Sequence, residues 1–302
     1  MSNIKSLSIA GIPVIISPPP NQDNPASLII LWHGFGTPSS EEMLAKTLPL
    51  EEVQAWKVYP ELPLFGHLMK TGNIEELMHR QLEDYPLQLL LPTIEPALQK
   101  LPEIVSQLQA ELEIDPQLGI GLFGFSAGGI ASLLTLIESS VTISAAVLTG
   151  VTKDLTSAID MVERTTQQNY QTLKEQHPWV EERHKQYNWT EASLKAQQRL
   201  DFVERAAEIV QRKPIPAILF AHGVRDEILT LKEVKTLYAA LKTQYERAKQ
   251  PELLSLKTFE HLKHHLDFEA AKNNPQMHQD LIEFQQVVAR WFEQHLTRSS
   301  AL

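Results

Sequence analysis

The chain has 302 residues, of which 43% are hydrophobic and 21% charged, a composition typical of an ordinary globular protein. Its net charge of −10 carries no block of basic residues, which argues against nucleic acid and anionic membrane surfaces as partners. The sequence has no cysteine, so disulfides and thiolate metal sites are excluded.

Two segments bear on the cellular location. The N-terminal stretch MSNIKSLSIAG lacks the apolar run and the cleavage site of a secretion signal, so we expect a cytoplasmic protein. Residues 118–137 form an uncharged window of the length that a membrane span needs. The glycines and serines in this window favour a strand, a tight turn and a buried helix instead, and we predict no membrane span.

Short apolar runs alternate with longer helical patterns, which is typical of a mostly parallel sheet covered by helices. The first unit is a predicted hairpin of strands IKSLSIA and PVIIS around a turn at 10–12. Six further strands are predicted, at 27–33, 55–60, 118–124, 143–149, 216–222 and 254–260. Helices are predicted at about 86–112, 127–139, 231–248 and 276–297. The expected fold class is therefore α/β.

One region breaks the alternation. Residues 152–198 are poor in strand patterns and rich in Gln, Glu, Lys and Arg, yet they contain Tyr170, Trp179 and Trp189. We predict a helical cap at 152–198, inserted into a core made of residues 1–151 and 199–302. A solvated decoration is the alternative, and a lid that shapes a substrate pocket is favoured because long insertions in compact domains are usually functional.

The stretch GIGLFGFSAGG, residues 119–129, matches two signatures at once. Gly119, Gly121 and Gly124 spell the dinucleotide fingerprint G-x-G-x-x-G, and residues 124–128 spell the nucleophile turn G-x-S-x-G. A dinucleotide loop follows its strand, whereas the first two glycines lie inside the predicted strand. The serine turn has a strand before it and a helix after it, so Ser126 is a candidate nucleophile; a serine that only caps the helix is the alternative.

A nucleophilic serine needs an acid, a base and an oxyanion donor, and in this kind of fold they follow in the order serine, acid, histidine. After PAILFAHG come Asp226 and Glu227, and after LSLKTFE comes the segment HLKHH with three histidines. Upstream, His33-Gly34-Phe35-Gly36 ends the third strand, where a loop can offer a backbone N–H. His33 and His222 each precede a glycine at a strand end, which favours loop anchors over chemical groups.

These residues resemble the α/β-hydrolase superfamily over almost the whole chain. The matching motifs are HGFG after the third strand, GFSAGG at the serine, HGVRDEI at the acid and the histidine loop before the C-terminal helix. More narrowly, YPELPLFGHL and RLDFVERAAEI are similar to bacterial esterase, peptidase and dienelactone-hydrolase relatives.

The resemblance implies a role for each candidate. Ser126 is the nucleophile, Asp226 rather than Glu227 is the acid, and His264 is the base. His265 and then His261 are alternative bases, and Lys263 stands where relatives often have a glycine. Asp154 is an alternative acid. The histidines 261, 264 and 265 with Asp267 could also ligate a metal, which their place after a strand disfavours.

The expected activity is that of a serine hydrolase that cleaves a carboxylic ester, or a related thioester or peptide, of a small-molecule acyl substrate. The backbone N–H groups of Phe35 and Ala127 would bind the oxyanion, and no cofactor or metal is required. The alternatives from other classes are a non-catalytic α/β-hydrolase scaffold that binds a small ligand or a protein, and a nucleotide-binding protein.

Overall fold

Eight strands form one sheet in the computed structural model, which describes residues 5–296. The strands are β1 (Lys5–Ile9), β2 (Ile12–Ser17), β3 (Ser27–Trp32), β4 (Ala55–Pro60), β5 (Ile120–Phe125), β6 (Ile143–Thr149), β7 (Ala217–Gly223) and β8 (Leu254–Phe259). They lie in the order β1-β2-β4-β3-β5-β6-β7-β8. All eight predicted strands are present, within two residues of their expected bounds, and residue 4 of the first lies outside the described range.

Only the two edge pairs at the N-terminal side of the sheet are antiparallel. β1 and β2 form a hairpin, β2 pairs with β4, and every later pair is parallel. Ala10 and Gly11 both have positive φ, 52° and 80°. Positive φ at both central residues is typical of a two-residue hairpin turn, because it matches the right-handed twist of the flanking strands. The carboxyl ends of β3, β5, β6, β7 and β8 therefore share one edge of the sheet, where a parallel α/β protein has its crevice.

Helices cover both faces of the sheet. In chain order they are α1 (Glu41–Thr47), α2 (Phe65–Lys70), α3 (Ile74–Asp84), α4 (Leu91–Glu111), α5 (Ala127–Glu138), α6 (Leu155–Gln176), α7 (Glu191–Arg199), α8 (Ala206–Ile209), α9 (Leu231–Arg247), α10 (Phe268–Ala271) and α11 (Pro275–His295). Buried side chains of α4, α5, α6 and α9 form the core on one face, and those of α1 and α11 form the core on the other. This arrangement confirms the predicted α/β class.

Some helices differ from the sequence prediction. The helix predicted at 86–112 begins with a π-helical segment at Tyr85–Leu90 and continues as α4, which accommodates Pro96 and Pro102. The last helix ends at His295 in the described range, and residue 297 lies outside it. The short helices α1, α2 and α3 were not predicted. α3 buries none of its residues and α1 has two turns, so neither carries a long apolar stripe in the sequence.

The segment 152–198 is mostly helical. It consists of α6, a 3₁₀ turn at Glu182–Lys185 and α7, which ends one residue beyond the predicted boundary. Its two ends meet, because the Phe202 amide donates a 3.1 Å hydrogen bond to the Lys153 carbonyl. Ile159 and Val162 of α6 belong to the hydrophobic core, so the inner face of the insertion is packed rather than solvated.

The uncharged window at 118–137 divides into β5, a turn at Ser126 and most of α5. Among residues 5–296, no helix combines the length and the apolar character that a membrane crossing requires.

Candidate active site

Ser126 lies at the corner between β5 and α5, at the carboxyl edge of the sheet. Its φ of 53° and ψ of −118° are strained for a residue with a side chain, and strain of this kind concentrates at functional sites. The amide of Ser126 donates a 3.0 Å hydrogen bond to the Thr149 carbonyl of β6. Its side chain makes no cap bond to the helix, so the alternative of a helix-capping serine does not hold, and the residue is half-buried.

Glycine is required on both sides of the serine for steric reasons. A Cβ at Gly124 would overlap the Gly128 carbonyl, and a Cβ at Gly128 would overlap the carbonyl oxygens of His33 and Trp32. At both positions a neighbouring backbone segment comes so close that only glycine fits, and the corner needs this close approach. Gly119 and Gly121 serve packing instead, since a Cβ there would meet Ser144 and the side chains of α11, respectively. Gly121 and Gly124 lie within β5, whereas Gly119 lies directly before it and not inside the strand as expected, so none of these glycines forms a loop after the strand.

His264 links Ser126 to Asp226. Its Nε2 lies 3.1 Å from the Ser126 Oγ, and its Nδ1 lies 2.8 Å from the Asp226 Oδ2. Because the carboxylate can only accept, Nδ1 carries the proton and Nε2 presents a lone pair to the serine hydroxyl. The three residues come from loops after β5, β7 and β8, so the topology of the sheet brings them together.

The environment of this chain of hydrogen bonds fixes its geometry. Asp226 and His264 are buried, with 5% and 6% of their surface exposed. The Asp226 Oδ1 accepts hydrogen bonds from the amides of Ile228 and Leu229, at 2.9 and 2.8 Å, so both carboxylate oxygens are occupied. Gly150, with φ of 56°, lies against the imidazole, where a Cβ would come within 3.0 Å of Cε1. The base therefore has one orientation available to it.

The loop after β3 runs beside the serine. A Cβ at Gly34 would lie 2.7 Å from the Cβ of Ser126, which shows how close the loop comes. In the described part of the chain, the amides of Phe35 and Ala127 have no intramolecular acceptor. The Ala127 amide is also the first of its helix, where free N–H groups and the helix dipole favour negative charge.

His33 anchors this loop. Its Nε2 accepts a 3.0 Å hydrogen bond from the Leu62 amide, and its Nδ1 lies 2.9 Å from the Gly34 carbonyl. The side chain is fully buried, and burial lowers the pKa of His33 to about 4, so the ring is neutral at pH 7. His33 is a loop anchor, as the sequence suggested.

The other histidines of the predicted set have different neighbours. His265 does not contact the acid or the serine; its Nδ1 accepts a 3.1 Å hydrogen bond from the Thr37 amide. His261 is held through its own amide, which donates to Asp280. His222 is buried with its Nε2 3.9 Å from the Asp226 Oδ2, and burial lowers its pKa. Among the histidines in residues 5–296, only His264 has both contacts that a base in a triad needs.

The remaining alternatives occupy structural positions. Asp154 is the N-cap of α6, where its Oδ1 accepts a 2.7 Å hydrogen bond from the Ser157 amide. The backbone carbonyl of Glu227 accepts from Arg164 of α6 at 3.0 Å. Asp267 caps α10 by accepting from two backbone amides. Within the described residues, no group of His, Asp and Glu is arranged to hold a metal ion.

From the sequence, the loop around Phe65, after β4, is expected to contribute to substrate selectivity, and it packs against the loop that carries Phe35. Phe65, the first residue of α2, stacks on Phe35 with 4.5 Å between ring centroids, and Leu62 supplies the amide bound by His33. Lys70, at the end of α2, binds Glu41 at 2.5 Å, directly after the loop. No spacing within the motif YPELPLFGHL indicates that it packs on a loop that lies about thirty residues earlier in the chain.

The outer part of the insertion packs on α3. Trp179 donates a hydrogen bond to Glu75 and contacts the ring of His79 at 5.0 Å. Arg183 forms two hydrogen bonds with Glu83, at 2.8 and 2.5 Å. Between α3, α6 and the 3₁₀ turn lies a cleft of about 590 Å³. Apolar side chains, including Tyr85, Ile159 and Val162, and charged ones, including Glu83, Glu163 and Arg183, line this cleft.

Solved structures of other proteins share this architecture at low sequence identity. The chain is similar to TT1662 from Thermus thermophilus, with 16% identity, 99% of both chains covered and a TM-score of 0.63. It is similar to an esterase domain from Rhodothermus marinus, with 13% identity, 97% and 100% covered and a TM-score of 0.55. It also matches the Pyrococcus horikoshii acylaminoacyl peptidase, with 14% identity and a TM-score of 0.59, covering 98% of this chain but 42% of that one.

No protein-family model matches the chain, and no curated protein sequence does either. The resemblance seen in the sequence motifs is instead supported by structure: the order of the strands and the similar solved structures agree with it. The chain has the α/β-hydrolase fold.

Proposed function

We propose that this protein is a serine hydrolase that cleaves a carboxylic ester through an acyl-enzyme on Ser126. The observation that carries the proposal is the hydrogen-bonded series Ser126, His264 and Asp226, with separations of 3.1 and 2.8 Å. A serine hydroxyl is a weak nucleophile until a base takes its proton, and this series supplies a base whose tautomer is set by a buried acid. The structural neighbours include proteins named as an esterase and a peptidase, which supports a hydrolase.

In the first half of the reaction, the Ser126 Oγ attacks the carbonyl carbon while its proton moves to the His264 Nε2. Asp226 stabilises the imidazolium that results and does not itself take the proton. The carbonyl oxygen, now negative, accepts hydrogen bonds from the Phe35 and Ala127 amides. One such donor is typically worth about 3 kcal/mol of transition-state stabilisation.

In the second half, His264 gives its proton to the leaving alcohol as the carbon–oxygen bond breaks, which leaves the acyl group esterified to Ser126. A water molecule then attacks this ester while the His264 Nε2 takes its proton, and His264 returns that proton to the Ser126 Oγ as the acyl–serine bond breaks and the acid product departs. Every proton in this scheme moves through one nitrogen, and the scheme needs no metal or cofactor.

An ester is the substrate class we favour, and a thioester or a short peptide comes next. Substrate choice falls to the groups around the acyl and leaving positions, and we propose that the insertion at 152–198 is a cap that shapes this region. Arg164 of α6 donates hydrogen bonds to the carbonyls of Glu227 and Ile228, so the insertion contacts the loop that carries Asp226. A cytoplasmic location remains a prediction of the sequence.

A fluorophosphonate probe tests the proposal, because it phosphonylates a serine only when a base and an oxyanion site activate that serine. We expect one adduct per chain, located on the peptide that contains Ser126, and none on the folded variant Ser126→Ala. A folded wild-type protein without an adduct would favour the non-catalytic scaffold, and tight binding of a nucleotide by that unlabelled protein would favour the nucleotide-binding alternative.

A further inference from the structure

His265 joins the histidine loop to the loop that carries Phe35. Its Nδ1 accepts a 3.1 Å hydrogen bond from the Thr37 amide, and the next amide, that of Leu266, donates a 3.0 Å hydrogen bond to the Thr37 carbonyl. Both polar groups of the Thr37 backbone are thus held by two consecutive residues. These residues directly follow His264, so the base and the loop after β3 are tied together.

The imidazole of His265 also covers Gly36. A Cβ at Gly36 would lie 2.5 Å from the His265 Cε1 and 2.7 Å from its Nδ1, so the ring occupies the space that a side chain would need. Gly36 is the neighbour of Phe35. The ring therefore touches the backbone of the loop on both sides of the Gly36–Thr37 peptide, through van der Waals contact at one residue and a hydrogen bond at the other.

The loop has further anchors. His33 is bound by the Leu62 amide, and the Phe35 ring stacks on Phe65. After Phe35, the Gly34 amide closes the loop with a 3.2 Å hydrogen bond to the Pro38 carbonyl, and the Leu266 amide holds the Thr37 carbonyl. His265 adds a side-chain contact to this part of the loop, so its ring helps to define where the Phe35 amide points.

The hydrogen bond to Thr37 requires a neutral His265. An N–H can donate only to a lone pair, so Nδ1 must be unprotonated and the proton must sit on Nε2. The groups that face the ring are His264, with 5.5 Å between ring centroids, the Thr37 backbone, and the carboxylates of Asp226 and Asp267. Burial and the charge of a protonated His264 lower the pKa of His265, which favours the neutral ring.

We propose that His265 is a positioning residue that fixes the oxyanion site: it accepts the Thr37 amide, covers Gly36 and thereby holds the Phe35 N–H toward the reacting carbonyl. This proposal rests on the proposed function. It gives the second histidine of the pair a task distinct from that of the first, since His264 moves the proton and His265 holds the loop that stabilises the charge.

Three substitutions separate the two contacts of the ring. In His265→Asn, the Oδ1 can take the place of Nδ1 and keep the acceptor. His265→Phe keeps a ring over Gly36 and removes the acceptor, and His265→Ala removes both. Lys263→Ala, an exposed position on the other side of His264, is the matched control. The readout is phosphonylation of Ser126 by a fluorophosphonate, measured as the maximal rate kinact and the half-saturating concentration KI.

We expect kinact to fall about tenfold in His265→Phe and His265→Ala, while KI stays within about twofold, because an oxyanion donor acts on the transition state. His265→Asn should remain within about threefold of the wild-type kinact, and Lys263→Ala should equal it. A melting temperature for each variant shows whether the loss follows stability instead.

The pH dependence gives a second readout. Because the pKa of His265 is lowered, the ring becomes protonated only as the pH falls below the ordinary histidine value of about 6.5, and protonation removes its acceptor, whereas Asn does not titrate. The ratio of the wild-type kinact to that of His265→Asn should therefore decrease toward acid. A constant ratio, or equal rates in His265→Asn and His265→Phe, would overturn the proposal while leaving the serine hydrolase intact. Failure of the wild-type protein to label at all would instead overturn the proposed function.

Discussion

The sheet edge around Ser126 and the outer part of the insertion are held by different kinds of interaction. At the sheet edge, Asp226 and His264 are buried, and the glycines beside Ser126 leave no room for any side chain. The outer insertion meets α3 through charged pairs such as Arg183–Glu83, where the arginine side chain is 57% exposed. One region is fixed by steric exclusion and buried hydrogen bonds, and the other by contacts that water and salt can weaken.

The two regions therefore differ in how rigidly they hold their geometry. Buried, fully paired groups hold a single geometry, because any departure leaves a polar atom without a partner. Exposed ion pairs contribute little free energy and can be exchanged for water at little cost. We therefore expect changes at the sheet edge to have large effects on activity or stability, and changes at the outer insertion to have small ones.

The largest effect is expected for Ser126→Ala. Turnover of the best ester should fall by about 10⁶-fold, as for other triad serines, because the nucleophile is lost. The melting temperature should change little, since alanine differs from serine at this corner only by the hydroxyl. A variant that kept more than about a tenth of the wild-type rate would show that the chemistry lies elsewhere.

Gly128→Ala should damage the fold itself. The added Cβ would overlap the carbonyl oxygens of His33 and Trp32 at the end of the central strand β3, which cannot move without breaking the sheet. We expect a loss of about 3 kcal/mol or more in the free energy of unfolding.

The matched control is Gly72→Ala. Gly72 has φ of 69° but open space around its missing Cβ, so the expected cost is about 1 kcal/mol of backbone strain. Denaturant unfolding of both variants measures the difference. If Gly72→Ala cost as much as Gly128→Ala, close approach would not be the reason for the glycine at the corner.

A smaller effect, of about 2 kcal/mol, is expected from the ionisation of His33. The folded protein lowers the pKa of this histidine from 6.5 to about 4, so between these values the unfolded chain binds more protons than the folded one. Stability is therefore full above about pH 6.5 and falls as the pH drops toward about 4. Between about pH 7 and about pH 5, this one group should cost about 2 kcal/mol.

His33→Gln tests this assignment, because Gln can still accept the Leu62 amide and does not titrate. The difference in unfolding free energy between the two pH values should shrink by about 2 kcal/mol in this variant. An unchanged difference would mean that other groups, such as His222, account for the acid sensitivity.

The smallest effect is expected at the outer insertion. A double-mutant cycle of Arg183→Ala and Glu83→Gln should give a coupling energy below about 1 kcal/mol in the free energy of unfolding. About 0.5 M NaCl should reduce that coupling further, because the arginine is exposed to the screening ions. A coupling above about 2 kcal/mol that salt does not change would contradict the contrast between the two regions.

The sequence predicted the elements whose signals are local. β6 was placed at its observed bounds because an apolar run of the right length is flanked by turn residues. Ser126 was found because the corner needs small residues at fixed positions on either side. Asp226 and His264 were then selected by their order after strand ends and by the family resemblance, and in the structure His264 lies between Asp226 and Ser126.

The features that the sequence did not predict are contacts between segments that lie far apart in the chain. The contact of Phe65 with Phe35 joins the ends of two different strands, and no periodicity reports it. Trp179 of the insertion packs on α3 against His79, a contact that no local sequence pattern indicates. The role of His265 was ambiguous for the same reason: two adjacent histidines look alike until the Thr37 amide is seen to face one of them.

The central claim is that Ser126 carries a covalent acyl group during turnover, and trapping that group tests it most directly. The protein would be mixed rapidly with a p-nitrophenyl ester, quenched in acid and analysed by mass spectrometry after digestion. We predict a burst of p-nitrophenol close to one equivalent per chain and the added acyl mass on the peptide containing Ser126, neither of which Ser126→Ala should show. Steady turnover with the acyl mass on another residue, or an undiminished burst from Ser126→Ala, would contradict the account.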